Sequence, residues 1–272
     1  MGLSYKDLAR GHVLVEKKGK VAIATLNRPS ALNAVGDGMG EAIDELLRRV
    51  DVDPDVNALI LTGAGRGFCS GGDMRESFHK PKRRRPVASD PGYLTRAARS
   101  VIQRFLQCQV PLIAAINGPA VGLGATMALL CDVTFMAEEA RIGDTHTKVG
   151  LTAGDGGAMI WPCLIGVHRA RELLMAGRLL SGAEAASIGL VNHAVPLKNL
   201  LPEALRYAKE IAAMMPWAVR STKMAINANI MANAATSMNL GMMAESMSTY
   251  LDDYREASQA WHEKRRPRFK GR

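Results

Sequence analysis

The feature that most constrains this chain is an apolar strand followed by a glycine-rich turn and a helix. The pattern occurs in "LILTGAGRGFCSGGDM", residues 59–74, and again in "PLIAAINGPAVGLGATMALLCD", residues 111–132. Strands that alternate with helices are typical of crossover connections between parallel strands. Such a turn also exposes backbone N–H groups at the start of the helix, where they can bind an anion. The repeated pattern therefore predicts an α/β fold.

Hydrophobic periodicity extends the same pattern toward the N-terminus. Residues 12–29, "HVLVEKKGKVAIATLNRP", read as two strands around a Lys-Gly turn. Residues 39–54, "MGEAIDELLRRVDVDP", carry apolar residues at helical spacing and end at a proline. The chain therefore starts as a hairpin followed by a helix and a further strand.

The C-terminal third has a different pattern. After "GLVNHAVP", residues 189–196, the strands end and helical spacing continues to residue 264. Met224, Met231 and Met238 recur there at every seventh position, which favours packing in a core or an oligomer over a cofactor site. We predict a core at residues 1–198 and a C-terminal helical region at residues 199–272.

The net charge of +9 is concentrated in two short tracts, "KPKRRRP" at 80–86 and "KRRPRFKGR" at 264–272. Outside these tracts the acidic residues slightly outnumber the basic ones. Short basic tracts beside proline and glycine are typical of solvated loops, so we predict no nucleic-acid partner. The phosphates of an anionic small molecule stay an alternative.

Cysteine spacing and hydropathy indicate the cellular setting. The four cysteines contain no CxxC pair, so neither a zinc knuckle nor a disulfide framework is indicated. No apolar run reaches the roughly 18 residues that span a bilayer, and the N-terminus lacks the apolar segment of a signal peptide. We expect a cytoplasmic protein without a membrane partner.

The glycine-rich turns do not match a nucleotide-binding motif. A P-loop would need Gly-Lys-Ser/Thr at its end, and Gly122-x-Gly124 is followed by Met127 where a dinucleotide fingerprint needs Gly or Ala. Two such turns can instead direct two N–H groups at one carbonyl oxygen and stabilise an enolate or a tetrahedral oxyanion. The turns therefore predict an oxyanion hole.

Five segments together resemble the crotonase, or enoyl-CoA hydratase/isomerase, superfamily. They are "LNRPSALNAV", "GFCSGGDM", "AAINGPAVGLGATMALLCDVTFMAEEARIG", "GLVNHAVP" and "WHEKRRPRFKGR". The resemblance implies a ClpP-like spiral of ββα units with a C-terminal helical trimerisation region. It also implies a homotrimer or a hexamer built as a dimer of trimers. The implied substrates are acyl-CoA thioesters of fatty acid metabolism, with coenzyme A as part of the substrate and no other cofactor.

The resemblance also implies roles for individual residues. The backbone N–H groups of Ser70 and Leu123 would form the oxyanion hole. The path of the CoA moiety would run along Ser70, Gly71, Gly72 and Asp73. Lys264, in the C-terminal motif, would contact the CoA phosphates, and the insert around residues 80–92 would be mobile in the empty enzyme.

Two positions depart from the family's hydratases, which use a pair of glutamates. The matching residues here are Thr126, which cannot ionise at working pH, and His146. An imidazole with a pKa near 6.5 is a competent general base if a third group fixes its tautomer, and Asp155 could be that group. The pair resembles the His and Asp of β-diketone hydrolases in the same superfamily.

Three functions stay open at this point. The first is an enoyl-CoA hydratase-like lyase in which His146, oriented by Asp155, handles the proton or the water. The second is a hydrolase of a carbon–carbon bond in a β-diketone or β-keto substrate, and the third is an acyl-CoA-binding protein without useful turnover. A structural role for His146 in a glycine-rich turn is the simpler alternative. A metal site at Asp144, His146 and Asp155 is disfavoured, because the family pattern supplies no further ligands.

Overall fold

The computed structural model describes Tyr5, Leu8, residues 11–77 and residues 93–272, with side-chain burial described for these except residues 76, 77 and 93–97. The basic tract at 80–86 and the insert expected to be mobile lie outside the described residues. Within the described part of the chain, no helix is both long and apolar enough to cross a membrane.

The strands form a six-stranded sheet in the order β1-β2-β3-β4-β6-β9 and a three-stranded sheet in the order β5-β7-β8. Their bounds are β1 (Val13–Lys18), β2 (Val21–Leu26), β3 (Ala58–Gly63), β4 (Leu112–Ile116), β5 (Ala120–Val121), β6 (Val133–Ala137), β7 (Arg141–Gly143), β8 (Leu179–Ser181) and β9 (His193–Val195).

The pairing of the strands confirms the α/β prediction. Strands β1 and β2 form an antiparallel hairpin around a turn with Gly19 at φ +65°. From β2 through β3, β4 and β6 to β9, each neighbouring pair is parallel. The glycine-rich turns after β3 and β4 therefore leave the same edge of the sheet, as the carboxyl ends of parallel strands do.

The helices are α1 (Met39–Val52), α2 (Met74–Ser77), α3 (Tyr93–Gln107), α4 (Leu123–Leu129), α5 (Gly157–Ala176), α6 (Gly182–Ser187), α7 (Leu197–Ala212), α8 (Pro216–Ser248) and α9 (Asp252–His262). Short 3-10 helices occur at Pro29–Ala31 and His146–Val149.

The large sheet is covered on both faces, which explains why its strands read as apolar runs rather than as an alternating pattern. On β3, Leu59 and Leu61 belong to the main core together with buried residues of α1 and α3. The alternate residues, Ala58 and Ile60, pack against α7 on the opposite face. The helical region predicted from residue 199 onward thus includes one helix that packs on the sheet.

Helix α8 contacts α3 and α5 along part of its length. Met238 is buried in the main core and Met231 packs against it, as predicted from the methionine spacing. Other positions of the helix leave large apolar side chains exposed: Trp217, Ile226, Leu240, Met243 and Met247.

Candidate active site

The end of β7 places His146 at the centre of a buried cluster. The strand ends at Gly143, and His146 begins the 3-10 helix that follows. The backbone N–H of His146 donates to the Asp144 carboxylate at 3.1 Å. A Cβ placed on Gly122 would lie 3.2 Å from Cε1 of the ring, so the imidazole faces the glycine-rich turn before α4.

Both nitrogens of the His146 ring have a carboxylate partner. The Asp144 carboxylate lies 2.6 Å from Nδ1, and the Asp155 carboxylate lies 3.2 Å from Nε2. The structure therefore brings together His146 and Asp155, the two residues selected from the sequence. It adds Asp144, whose spacing of two residues from His146 was a local signal that the sequence interpretation assigned only to a disfavoured metal site.

A third carboxyl, from Glu245 on α8, completes the cluster. Its Oε1 lies 3.9 Å from His146 Nε2. The turn before α5 approaches α8 closely, since a Cβ on Gly154 would overlap the backbone carbonyl of Gly241 and lie 2.8 Å from Glu245 Cβ. Sequence reasoning missed Glu245 because no local pattern links a mid-helix glutamate to a histidine in a distant turn.

Burial and charge set the protonation of this cluster. Burial lowers the pKa of His146, but the Asp155 and Asp144 carboxylates outweigh it and hold that pKa well above 6.5. Burial, followed by the Asp155 charge, raises the pKa of Glu245 to about 8. At neutral pH the cluster thus holds an imidazolium and a neutral Glu245. The sequence expectation was a general base with the ordinary imidazole pKa near 6.5 and a tautomer fixed by Asp155, whereas the contacts in the fold raise that pKa.

Several buried oxygens around the ring lack a hydrogen-bond partner among the residues that the structure describes. They are Thr126 Oγ1, Asp144 Oδ2, Asp155 Oδ1 and Glu245 Oε2. A buried polar atom without a hydrogen-bond partner costs about 1–3 kcal/mol of folding stability, so atoms of this kind commonly bind a ligand or a water molecule. Thr126 lies against Gly156, where a Cβ would come within 2.5 Å of Thr126 Cγ2.

The structure contradicts the prediction that the Ser70 N–H is a free oxyanion donor. The Ser70 N–H donates to the Leu32 carbonyl at 3.0 Å. The direction of this amide follows from the preceding residue, because Cys69 forms an isolated parallel bridge with Ala120. Successive amides of an extended segment point to opposite sides, so Ser70 is directed at the Leu32 segment instead.

Gly72 is placed differently. Val35 donates to the Gly71 carbonyl at 2.8 Å and accepts from the Asp73 N–H at 3.0 Å, which makes a parallel bridge between Val35 and Gly72. In a parallel bridge of this kind, Val35 bonds to the residues on either side of Gly72, and the N–H of Gly72 itself points to the other side of the strand. Gly72 therefore directs its N–H away from Val35.

Leu123, the first residue of α4, lies beside this turn. A Cβ on Gly71 would be 3.6 Å from the Leu123 nitrogen. Among the described residues, no acceptor is found for the N–H groups of Gly72 and Leu123. Two amides without an acceptor on adjacent turns can donate to one oxygen, and the sequence interpretation did not single out the Gly72 amide.

Asp73 and Lys264, two further residues that the sequence predicted for CoA binding, lie outside the His146 cluster. The Asp73 side chain is buried and pairs with Arg28 at 3.0 Å, so it faces a neighbouring turn. Lys264 is exposed after α9, where the C-terminal tail folds back on that helix. The N–H groups of Lys270 and Gly271 donate to the Asp253 carboxylate at 2.6 and 2.7 Å.

The spacing of Asp144, His146 and Asp155 would allow a shared metal ion, since their ligand atoms lie within 4.8 Å of one another. However, Asp144 contacts Nδ1 and Asp155 contacts Nε2. One ion can bind only one nitrogen of a ring. The arrangement is therefore better suited to an imidazolium held between two carboxylates.

Comparison with known proteins gives one family. The family profile described as enoyl-CoA hydratase/isomerase matches residues 16–272. The short-chain-enoyl-CoA hydratase of Clostridium acetobutylicum is 33% identical over 257 residues, which cover 94% of this chain and 96% of the relative.

Solved structures agree with this match. The crystal structure of an enoyl-CoA hydratase/isomerase from Mycobacterium paratuberculosis is 34% identical, has a TM-score of 0.83, and the match covers 91% of this chain and 97% of that chain. The enoyl-CoA hydratase/isomerase structure from Pseudoalteromonas atlantica is 28% identical with a TM-score of 0.84, covering 95% of this chain and 100% of that chain.

Proposed function

The chain belongs to the enoyl-CoA hydratase/isomerase family and has the crotonase fold. We propose that it is an enoyl-CoA hydratase-like lyase whose acid–base groups are the carboxyls around His146. The family acts on CoA thioesters. The observation that carries the proposal is that Asp155 and Glu245 both lie within 3.9 Å of His146 Nε2. A carboxylate and a neutral carboxyl beside one ring nitrogen could together perform the acid–base role of the two hydratase glutamates, whose own positions are occupied here by Thr126 and His146.

The thioester oxygen would accept hydrogen bonds from the N–H groups of Gly72 and Leu123. Both amides are fixed by the backbone and need no reorganisation when negative charge develops on the oxygen. Ser70, whose amide is already bonded to Leu32, would line the turn without contacting the oxyanion.

The acid–base step would use the two carboxyls around His146. Asp155 would accept a proton from water while the water oxygen bonds to C3 of the enoyl group, and the electron pair of the double bond moves to an enolate held by the two amides. The enolate then takes a proton at C2 from Glu245, whose raised pKa of about 8 keeps it protonated at neutral pH, and the proton held by Asp155 then passes to Glu245 to restore the resting state. His146 would stabilise the Asp155 charge, and Asp144 would fix the His146 ring through Nδ1.

A second candidate is the hydrolysis of a carbon–carbon bond in a β-diketone or β-keto substrate. The observation in its favour is Thr126, which stands in place of one hydratase glutamate and whose buried hydroxyl has no partner among the described residues. In this reaction water would attack a ketone carbonyl, and the enolate released by bond cleavage would be the oxyanion. An acyl-CoA-binding protein without turnover is the third outcome.

The proposed assembly is a homotrimer or a dimer of trimers. The support is the exposed apolar side of α8, where Trp217 is 73% and Met247 is 61% exposed. Large apolar side chains exposed along one helix are typical of a helix that packs against another protein chain. Lys264, exposed beside the tail, would contact the phosphates of the substrate, so CoA-ester affinity would weaken with salt.

One experiment separates the three functions. One batch of enzyme is incubated with crotonyl-CoA and, separately, with a cyclic β-diketone, and products are followed by mass spectrometry. We expect addition of one water to crotonyl-CoA and no change in the diketone. Cleavage of the diketone alone would establish the second candidate, and binding of crotonyl-CoA without product would establish the third.

A further inference from the structure

The turn that carries Gly72 is fastened by a buried arginine. One terminal nitrogen of Arg28 lies 3.0 Å from the Asp73 carboxylate. The other donates to the backbone carbonyls of Ala34 and Gly36 at 2.6 and 3.2 Å. The Arg28 and Asp73 side chains are only 15% and 7% exposed, so the guanidinium is enclosed between two backbone segments.

These contacts surround the bridge that directs the Gly72 amide. Val35 lies between the two carbonyls that Arg28 binds, and it forms the hydrogen bonds to the neighbours of Gly72. Asp73, the next residue after Gly72, accepts from Arg28 through one oxygen and from the Arg75 N–H through the other at 3.0 Å. Arg28 therefore holds both sides of the bridge through one rigid group.

The contacts of Arg28 are directed at the fold and not at the phosphates of a substrate. Its two terminal nitrogens both have acceptors within the protein, and its Asp73 partner is buried beside it. Breaking a buried charge pair on one side leaves the other charge uncompensated, which favours rearrangement of the turn. A rearranged turn would misdirect the Gly72 N–H.

We propose that Arg28 is a positioning residue for the oxyanion hole, acting through Asp73 and Val35 on the direction of the Gly72 amide. This inference rests on the proposed function, because it concerns how the thioester oxygen is polarised. A displacement of about 1 Å at a reacting group can cost on the order of 100-fold in rate. Loss of one oxyanion donor costs a similar 100- to 1,000-fold in kcat.

The first test compares Arg28→Ala and Arg28→Lys with the wild-type enzyme on crotonyl-CoA. We expect kcat to fall about 100-fold in Arg28→Ala, with a smaller change in KM, because the substitution acts mainly on the polarisation of the bound thioester carbonyl. Lysine offers a point charge to Asp73 but not the planar fork that also reaches the two carbonyls, so Arg28→Lys should recover only part of kcat. Added guanidinium should partly restore Arg28→Ala.

A spectroscopic readout separates positioning from a general loss of stability. The infrared difference spectrum of the bound thioester reports polarisation of its carbonyl, and the shift seen in wild-type enzyme should be reduced in Arg28→Ala. The matched control is Arg220→Ala, because Arg220 also binds two backbone carbonyls, those of Asp51 and Val56, but on α8. This control should lower stability and leave the carbonyl shift unchanged.

The outcomes distinguish this inference from the proposed function. If wild-type enzyme turns over no CoA thioester and does not shift the carbonyl band, the proposed function fails first, and the inference fails with it. If wild-type enzyme is active and folded Arg28→Ala keeps kcat and the carbonyl shift, only the inference is overturned. Should Arg28→Ala not fold, Asp73→Asn, which keeps the size and one acceptor but removes the charge, must show the same loss of kcat and of the shift.

Discussion

At the scale of single residues, the backbone amides matter more than the side chains in the first glycine-rich turn. Ser70→Ala should be mild, because the hydroxyl makes only a 3.2 Å bond to the Ala31 carbonyl. Gly72→Pro should be severe, because proline has no N–H to donate and loss of one oxyanion donor costs about 3–4 kcal/mol of transition-state stabilisation. The check is kcat for both variants, with circular dichroism to establish folding. Full turnover by folded Gly72→Pro would remove Gly72 from the oxyanion hole.

The raised pKa of Glu245 gives a pH dependence with a defined sign. The carboxyl acts as an acid while protonated, so kcat should fall as pH rises through about 8. Glu245→Gln should lower kcat by about 100- to 10,000-fold and remove this alkaline limb. The measurement is kcat against pH for both enzymes, and an unchanged alkaline limb in Glu245→Gln would assign the titration to another group.

The protonation of His146 also follows from its contacts and could not be read from the sequence. The position was selected because a histidine replaces a family carboxyl, but the direction of its pKa shift depends on two carboxylates that only the fold brings to its ring nitrogens. Because that pKa lies well above 6.5, acidification through pH 6.5 is not expected to titrate the imidazole. The sequence thus suggests the position, while the groups that set its protonation come from the fold.

At the scale of elements, the contact between the turn before α5 and helix α8 places Glu245. Gly154→Ala would put a Cβ into the Gly241 carbonyl and close to Glu245 Cβ. We expect a loss of about 1–3 kcal/mol of stability from overpacking, and a fall in kcat as Glu245 moves from His146. Gly241→Ala, whose Cβ would lie 3.2 Å from Gly154 Cα, should have a smaller effect on both.

Thermal unfolding and kcat of the two variants provide the measurement. If Gly154→Ala lowered the melting temperature but left kcat unchanged, the close contact would be structural only, and the position of Glu245 would not depend on it.

Individual helices and strands were easier to predict from the sequence than the contacts between distant segments. The hairpin, helix α1 and the parallel strands follow from local periodicity and turns, which act within about twenty residues. The bridge between Val35 and Gly72 joins segments far apart in the sequence, and no periodicity reports it. The sequence could therefore suggest the turn, but not that the Ser70 N–H within it bonds to the Leu32 carbonyl while the Gly72 N–H points away from Val35.

At the scale of the whole molecule, the exposed side of α8 predicts self-association. Met243 is 55% and Ile226 is 58% exposed on this helix. We expect sedimentation equilibrium to give a trimer or a hexamer, and Ile226→Asp combined with Met243→Asp to shift the mass toward the monomer, because burying charge at an apolar interface is costly. Glu substitution at the exposed Val52, on α1, serves as a control for added charge. A monomeric wild-type protein at micromolar concentration would contradict the assembly.

Turnover of crotonyl-CoA decides whether Asp155 and Glu245, held around His146, perform the acid–base role of the paired glutamates of a hydratase. We expect wild-type enzyme to hydrate crotonyl-CoA and His146→Ala to lose about 100- to 10,000-fold in kcat with little change in CoA-ester binding, because Asp155 loses the group that positions it as the base. Asp155→Asn should fall in the same range, and the double variant should be little worse than either, because groups that act as one unit are not additive. Full turnover by folded His146→Ala would exclude a catalytic role for the His146 cluster.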